Sequence, residues 1–254
     1  MSDRKEHKGG LWETLRTIVY AVGIAVIIRT VAFEPFNIPS GSMLPTLLVG
    51  DYLFVSKYSY GYSKHSLPAS PGLFKGRILE RLPERGDVIV FKTPSDNSTD
   101  YIKRVVGLPG ERIQMKNSVL HINDVPVKLE QIEDFVVGDS PGLARRFEQF
   151  FETLPNGRRH RILNSSYTPG ADETAVFVVP AGHYFMMGDN RDESADSRFA
   201  VQAFGGVGFV PAENLVGRAE FLFFSTDGSA GLLRPWLWPE SIRWNRIFRS
   251  VQAP

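Results

Sequence analysis

The stretch Thr17 to Ile28, TIVYAVGIAVII, carries no charge and is closed by Arg16 on one side and Arg29 on the other. It restricts the chain more than anything after it. In lipid every backbone N–H and C=O must be satisfied internally, and for a single apolar run that means a helix. Its length is intermediate: a spanning helix needs about 20 mostly apolar residues, and the apolar part of a cleaved secretion signal roughly 7 to 15. The ends favour the span. Leu11, Trp12 and Leu15 prolong the apolar surface upstream, TVAF (30–33) prolongs it downstream, and Arg16 and Arg29 can snorkel to the headgroups. No small-x-small cleavage site follows Arg29. The expectation is an uncleaved transmembrane anchor over residues 11–33 behind a tail of residues 1–10. Arg4, Lys5, Lys8 and Arg16 precede the span, and the next basic residue after Arg29 is Lys57, which predicts a cytoplasmic N-terminus and everything after the span outside the cytoplasm.

The rest of the 254 residues fits one large domain or one domain with an insertion. A net charge of +1 removes any global electrostatic reason to expect nucleic acid as a partner, and the absence of cysteine excludes disulfides, thiolate catalysis and zinc–thiolate sites. Short β-rich runs follow one another: DYLFV (51–55), DVIVF (87–91), YIKRVV (101–106), VFVV (176–179), HYFMM (183–187) and AEFLFF (219–224). Pro109-Gly110, Asn117-Ser118 and Asn123-Asp124 mark turns around ERIQM, SVLHI and VPVKL. The predicted class is mainly β. Gln131 to Thr174 is mixed and charged, broken at Pro141-Gly142 and Pro155-Asn156-Gly157, and reads as an inserted lobe; Ser63 to Glu84 reads as a surface excursion.

Immediately after the span comes Asn37-Ile-Pro-Ser-Gly-Ser-Met-Leu-Pro-Thr46. Two prolines around Ser40-Gly41-Ser42 pre-set a rigid turn that would hold a hydroxyl exposed. It is no nucleophile elbow, since Ser40 and Leu44 stand where Gly-x-Ser-x-Gly requires glycine. A serine nucleophile needs a base. Of the histidines, His7 falls in the tail, His65 and His160 in irregular polar stretches, His121 on a predicted strand, and His183 before a polar turn with no third orienting group at a recognisable spacing. Lys103, in DYIKRVVG, is the other candidate. On its residues alone it reads as an exposed strand lysine; buried, it would lose part of its proton affinity and could act as a neutral amine base. The third polar segment, Gly188 to Arg198 (GDNRDESADSR), lacks the alternation and central glycine of a calcium loop, and its carboxylates beside Arg191 and Arg198 predict ion pairs rather than a metal site.

PSGSMLPTLLVGDYLFVSKYSYG, GDVIVFK, DYIKRVVGLPG and GDNRDESADSR, in this order after an N-terminal span, closely resemble the bacterial type I signal peptidases, from about Glu34 to Phe224. The resemblance implies a signal-peptidase-type β catalytic core with an inserted smaller β-rich lobe, preceded by one transmembrane helix. The corresponding division is 34–116 and 184–254 for the core and 117–183 for the lobe. It implies Ser42 as the acylated serine, Lys103 as general base, Ser40 as an oxyanion-hole hydroxyl and Ser194 as the hydroxyl orienting the lysine. Asp189, Asn190, Asp196 and Arg198 would support the site, and Phe36, Ile38, Met43, Leu47, Tyr101 and Ile102 would line shallow apolar subsites. The implied substrates are signal peptides of exported preproteins, cut after small residues at −1 and −3 at the inner membrane, with no cofactor or metal. Pro235-Trp236-Leu237-Trp238-Pro239, with Trp244, Phe248 and Arg243, Arg246 and Arg249, reads either as a membrane-interface segment or as a tail packed on the core.

Overall fold

The computed structural model describes residues 10–66, 76–137, 144–201, 205–230 and 235–252. Arg4, Lys5, His7, Lys8 and the Pro141-Gly142 break lie outside them. Helix α1 (Leu11–Val31) is roughly 30 Å long at 1.5 Å per residue, the thickness of a bilayer's hydrocarbon core. Its apolar window, Trp12–Val31, is not buried by the described residues: Ile18, Val22, Ile24 and Ile27 are all exposed. By length and composition this helix is able to cross a membrane.

Strands follow directly. In chain order they are β1 (Phe33–Asn37), β2 (Asp51–Ser56), β3 (Val88–Lys92), β4 (Asp100–Gly107), β5 (Arg112–Lys116), β6 (Val119–Ile122), β7 (Val125–Pro126), β8 (Lys128–Val137), β9 (Arg145–Thr153), β10 (Arg159–Leu163), β11 (Phe177–Val178), β12 (His183–Met187), β13 (Val210–Pro211) and β14 (Leu215–Ser225). Seven form the main antiparallel sheet, in the order β1-β2-β14-β3-β4-β12-β13. Three antiparallel steps separate β2 from β4 and one more separates β1, so β1 and β4 run in the same direction. Alternation along β2 sends Leu53 and Val55 into a core with Ile38, Met43, Leu47, Val88, Val90, Ala219 and Leu222, while Tyr52 and Phe54 face outward.

A four-stranded sheet, β11-β5-β6-β7, takes strands from both sides of residue 116 and covers a second core around Val106, Ile113, Leu120 and Phe185. Its hairpins turn at Asn117-Ser118 (φ 47° and 65°) and Asn123-Asp124 (φ 53° and 66°), the paired left-handed residues that two-residue hairpin loops require. The strands β10-β9-β8 form a third sheet. His160 is therefore not in an irregular stretch: it sits on β10, where alternation buries it with Ile162. In the Ser63–Glu84 excursion the Arg77 guanidinium donates to the carbonyls of Gly61, Leu215 and Ala212, tying its described end to the sheet.

The C-terminal segment lies against β14: Phe248 N–H donates to Leu222 C=O at 2.8 Å and Val251 N–H to Glu220 C=O at 2.8 Å. Arg246 is buried and holds the Asp51 carboxylate bidentately (3.0 and 2.5 Å), so this arginine belongs to the core rather than to the surface.

Candidate active site

Ser42 sits in a single 3-10 turn, Gly41–Met43, entered from extended Ser40. The polar loop after β12 fixes that turn from behind: Asn190 N–H donates to Ser42 C=O at 3.1 Å and Asn190 Nδ2 to Gly41 C=O at 3.2 Å. The loop can come this close only because residue 188 is glycine. A Cβ there would fall 2.5 Å from the Ser42 carbonyl oxygen and 2.2 Å from Ser194 Oγ.

Lys103 projects from β4 toward the same turn, its Nζ 2.7 Å from Ser42 Oγ and 5.5 Å from the Tyr101 ring centroid. It is only 4% exposed, against the reading of a surface lysine. Burial disfavours its charged form and lowers its pKa from the ordinary 10.5 to about 8; Asp196 and Asp189 oppose the shift and Arg198 adds to it. Ser40 Oγ stands 3.5 Å from Ser42 Oγ. The Ser194 hydroxyl is buried and makes no hydrogen bond among the described residues.

Behind the pair lies a layer of buried ions. Arg198 grips Asp196 with two 2.9 Å hydrogen bonds, and Asp196 accepts the Gly188 N–H at 3.1 Å. Asp189 takes a bidentate grip from Arg104 (2.8 and 2.7 Å) and a hydrogen bond from Thr46 at 2.5 Å. Burial by itself would raise both carboxyls, but the guanidinium partners outweigh it and hold them below the ordinary range. Arg191 reaches Glu152 on β9 (2.9 and 2.5 Å), and His160 Nε2 lies 3.2 Å from Glu152 and 3.9 Å from Asp189.

Sequence reasoning expected Arg191 in an ion pair but not its partner Glu152 on β9, and it missed Arg104, Thr46 and His160. Arg104 had a signal: two consecutive bases inside an apolar strand cannot both face water if the strand is covered on both sides, so each needs a partner. Glu152 and His160 had none, because their faces are set by packing between sheets.

An open cleft of about 550 Å³ leads to the pair, lined by Phe36, Ile38, Tyr101 and Ile102 together with Pro39, Ser40, Val90, Asp100, Glu193 and Ala195. Met43 and Leu47 do not line it. Both are fully buried in the core beneath. The cleft runs between β1 with its continuation to Ser40, and residues 100–103 of β4. Those residues extend beyond the end of β12, whose pairing with β4 covers only Arg104 to Gly107. Both walls therefore carry backbone groups not claimed by that strand pairing, and Ser42 and Lys103 are among the lining residues. A hydroxyl beside a desolvated amine, in an open cleft, is equipped for acyl transfer.

A family described as "Signal peptidase, peptidase S26" matches residues 11–224. Signal peptidase I of Rickettsia conorii (strain ATCC VR-613 / Malish 7) is 42% identical, covering 92% of this chain and 91% of its own length, and that of Rickettsia massiliae (strain Mtu5) is 43% identical with the same coverage. A solved signal peptidase I from Enterococcus faecalis V583 is 24% identical with a TM-score of 0.30, covering 54% of this chain and 97% of that one. With a family match that runs from α1 to β14 and relatives matched along nearly their whole length, the chain belongs to the signal peptidase family, peptidase S26, and is a serine endopeptidase.

Proposed function

We propose that this protein is a membrane-anchored endopeptidase that removes signal peptides from exported preproteins, with Ser42 as nucleophile and Lys103 as general base. The observation that carries the proposal is the buried Lys103 Nζ at 2.7 Å from Ser42 Oγ, both lining the cleft. The neutral amine takes the Ser42 proton and the alkoxide attacks the substrate carbonyl. The Ser42 N–H and the Ser40 hydroxyl stabilise the oxyanion, the protonated Lys103 delivers its proton to the leaving amine, and water then releases the acyl group by the same route. Asp189, Asn190, Asp196 and Arg198 hold the loop that supports the turn, and Ser194 packs beside Gly188.

The substrate lies as an added strand between the walls formed by residues 36–40 and 100–103, where backbone hydrogen bonds set its register. Phe36, Ile38, Tyr101 and Ile102 leave shallow apolar space, which fits small residues at −1 and −3. The basic tail places the N-terminus in the cytoplasm and the core on the outer face of the inner membrane. Residues 34–116 and 184–254 form the catalytic core in this reading, and 117–183 the inserted lobe.

Ser42→Ala and Lys103→Met are each expected to lower cleavage of an Ala-x-Ala preprotein in detergent by about 10⁴-fold. Substantial turnover by either variant would remove that residue from the chemistry. A serine-directed acylating inhibitor should label the wild type and spare Ser42→Ala.

A further inference from the structure

Only Ala32 separates the end of α1 at Val31 from the start of β1 at Phe33. Rotation about this one residue would swing the core against the membrane, yet the junction is held on several sides. Lys57 N–H donates to Ala32 C=O at 3.0 Å, extending the β1–β2 ladder to the last residue before the helix. The Tyr62 hydroxyl donates to Val31 C=O at 2.8 Å, on the helix side of the link. The Glu34 carboxylate is shared by two cations: Arg29 from the last turn of α1, at 2.5 Å, and Lys57 from the end of β2, at 2.9 Å. Lys57 is itself buried, and its ammonium also donates to Ser66 C=O at 2.7 Å.

A carboxylate ligated from the helix and from the sheet at once is a brace. Next to a bilayer the weak dielectric screening strengthens it. From this arrangement we infer that Arg29, Glu34, Lys57 and Tyr62 form a collar that locks the anchor and the core into one rigid body, and that the collar sets which peptide bond is cut. The inference rests on the signal-peptide reading above. A substrate whose apolar segment is still in the bilayer shares the membrane plane with α1. If the helix cannot flex against the core, Ser42 stands at a fixed height above that plane, and the bond that reaches it is fixed by distance as well as by side chains. These four residues are positioning residues and touch no reacting atom.

The test uses the full chain in vesicles and the variant Arg29→Gln/Tyr62→Phe. This variant cuts two links across the junction and leaves the Glu34–Lys57 pair and the core intact. The native chain has no cysteine. Spin labels at Ile24→Cys and Val125→Cys, both exposed positions, therefore report the helix-to-core distance without competition. A narrow distribution is expected with the native collar and a broad one in the variant; equal widths would overturn the collar whether or not the protein is active.

The second readout is a preprotein with two Ala-x-Ala sites four residues apart, roughly 13 Å of extended chain. The native collar is expected to favour one site by about tenfold or more, and the variant to bring the two close to parity, since a misplacement of about 1 Å can already cost about 10²-fold. A soluble peptide with one site should be cut equally by both proteins. An unchanged site ratio in vesicles, with the peptide cut normally, would overturn the role in site choice. Failure of the native protein to cut either substrate would count against the signal-peptide reading, and the distance measurement would still decide the collar.

Discussion

Lys103 carries a cost that its proposed role as general base requires. Its pKa is lowered by burial to about 8 from 10.5, so folding must desolvate an ammonium or release its proton. Below about pH 8 both folded and unfolded chains bind that proton and the full penalty applies. Between about 8 and 10.5 the unfolded chain binds more protons than the folded one, so stability rises with pH and the penalty vanishes above that window. At about 1.4 kcal/mol per unit the penalty is roughly 3 kcal/mol near neutrality. Two expectations follow at this scale. In the native protein kcat/KM should climb with pH and level off above about 8, as the amine becomes neutral. Lys103→Met should be inactive yet melt at a higher temperature than the native protein at pH 7, with the difference shrinking toward pH 10. A lower melting temperature for Lys103→Met at pH 7 would contradict the desolvation account. The identity of Lys103 could be read from its motif but its burial could not. Strand alternation gives a side chain's face, and only the loop from Gly188 to Arg198, folded over β4 from far along the chain, decides whether that face is wet.

Elements with a local cause were legible and those with a distant cause were not. The hairpins around Asn117-Ser118 and Asn123-Asp124 were readable because the turn residues themselves impose the left-handed backbone. β12 was readable from its apolar run, although its pairing with β4 was not. The sheet β8-β9-β10 was legible only as a charged lobe; among its contacts to the site loop, beside the backbone hydrogen bonds of Leu163 with Asp189 and Arg191, is the buried ion pair of Glu152 with Arg191. That contact joins β9 to the loop carrying Ser194 and Asp196. Burial alone would raise the Glu152 carboxyl, but Arg191 and His160 more than compensate and hold it well below its ordinary value. A depressed carboxyl stabilises the fold at pH values above its unfolded pKa, and that contribution is lost as the pH falls. Arg191→Met, which strands the carboxylate, should cost about 3 to 5 kcal/mol, and adding Glu152→Leu should restore most of it. The double variant should also unfold at lower pH than the native protein, since it no longer has this carboxylate to protonate. Denaturant melts across pH 3 to 7 would measure both effects; a double variant as unstable as Arg191→Met would mean the ion pair is not the source of the coupling.

At the scale of the whole molecule, an aromatic face covers the side of β2 that Tyr52 and Phe54 occupy, turned away from the core. Phe33, Phe54, Phe221 and Phe223 stack in sequence across β1, β2 and β14, with Tyr52 and Tyr58 at the margins, beginning two residues from the end of α1. The C-terminal segment, hydrogen-bonded to β14, adds the exposed rings of Trp236 (70%), Trp244 (62%) and Phe248 (78%). A water-soluble surface seldom leaves so many aromatic rings bare, and tryptophan and tyrosine concentrate where one end is apolar and the other wet. The sequence offered two readings of this segment, interface or packed tail, and its residues divide between them: Arg246 is packed against Asp51, while Trp236, Trp244 and Phe248 point away from the core. Resting this face on the bilayer would hold the strands β1, β2 and β14 at the headgroups. The expectation is that in vesicles containing brominated acyl chains, a Trp12→Phe protein, whose remaining tryptophans are Trp236, Trp238 and Trp244, loses much of its fluorescence, and that the loss persists when the vesicles are uncharged. Emission unaffected by bromine would detach the C-terminal segment from the membrane and leave α1 with its collar to hold the site at its height.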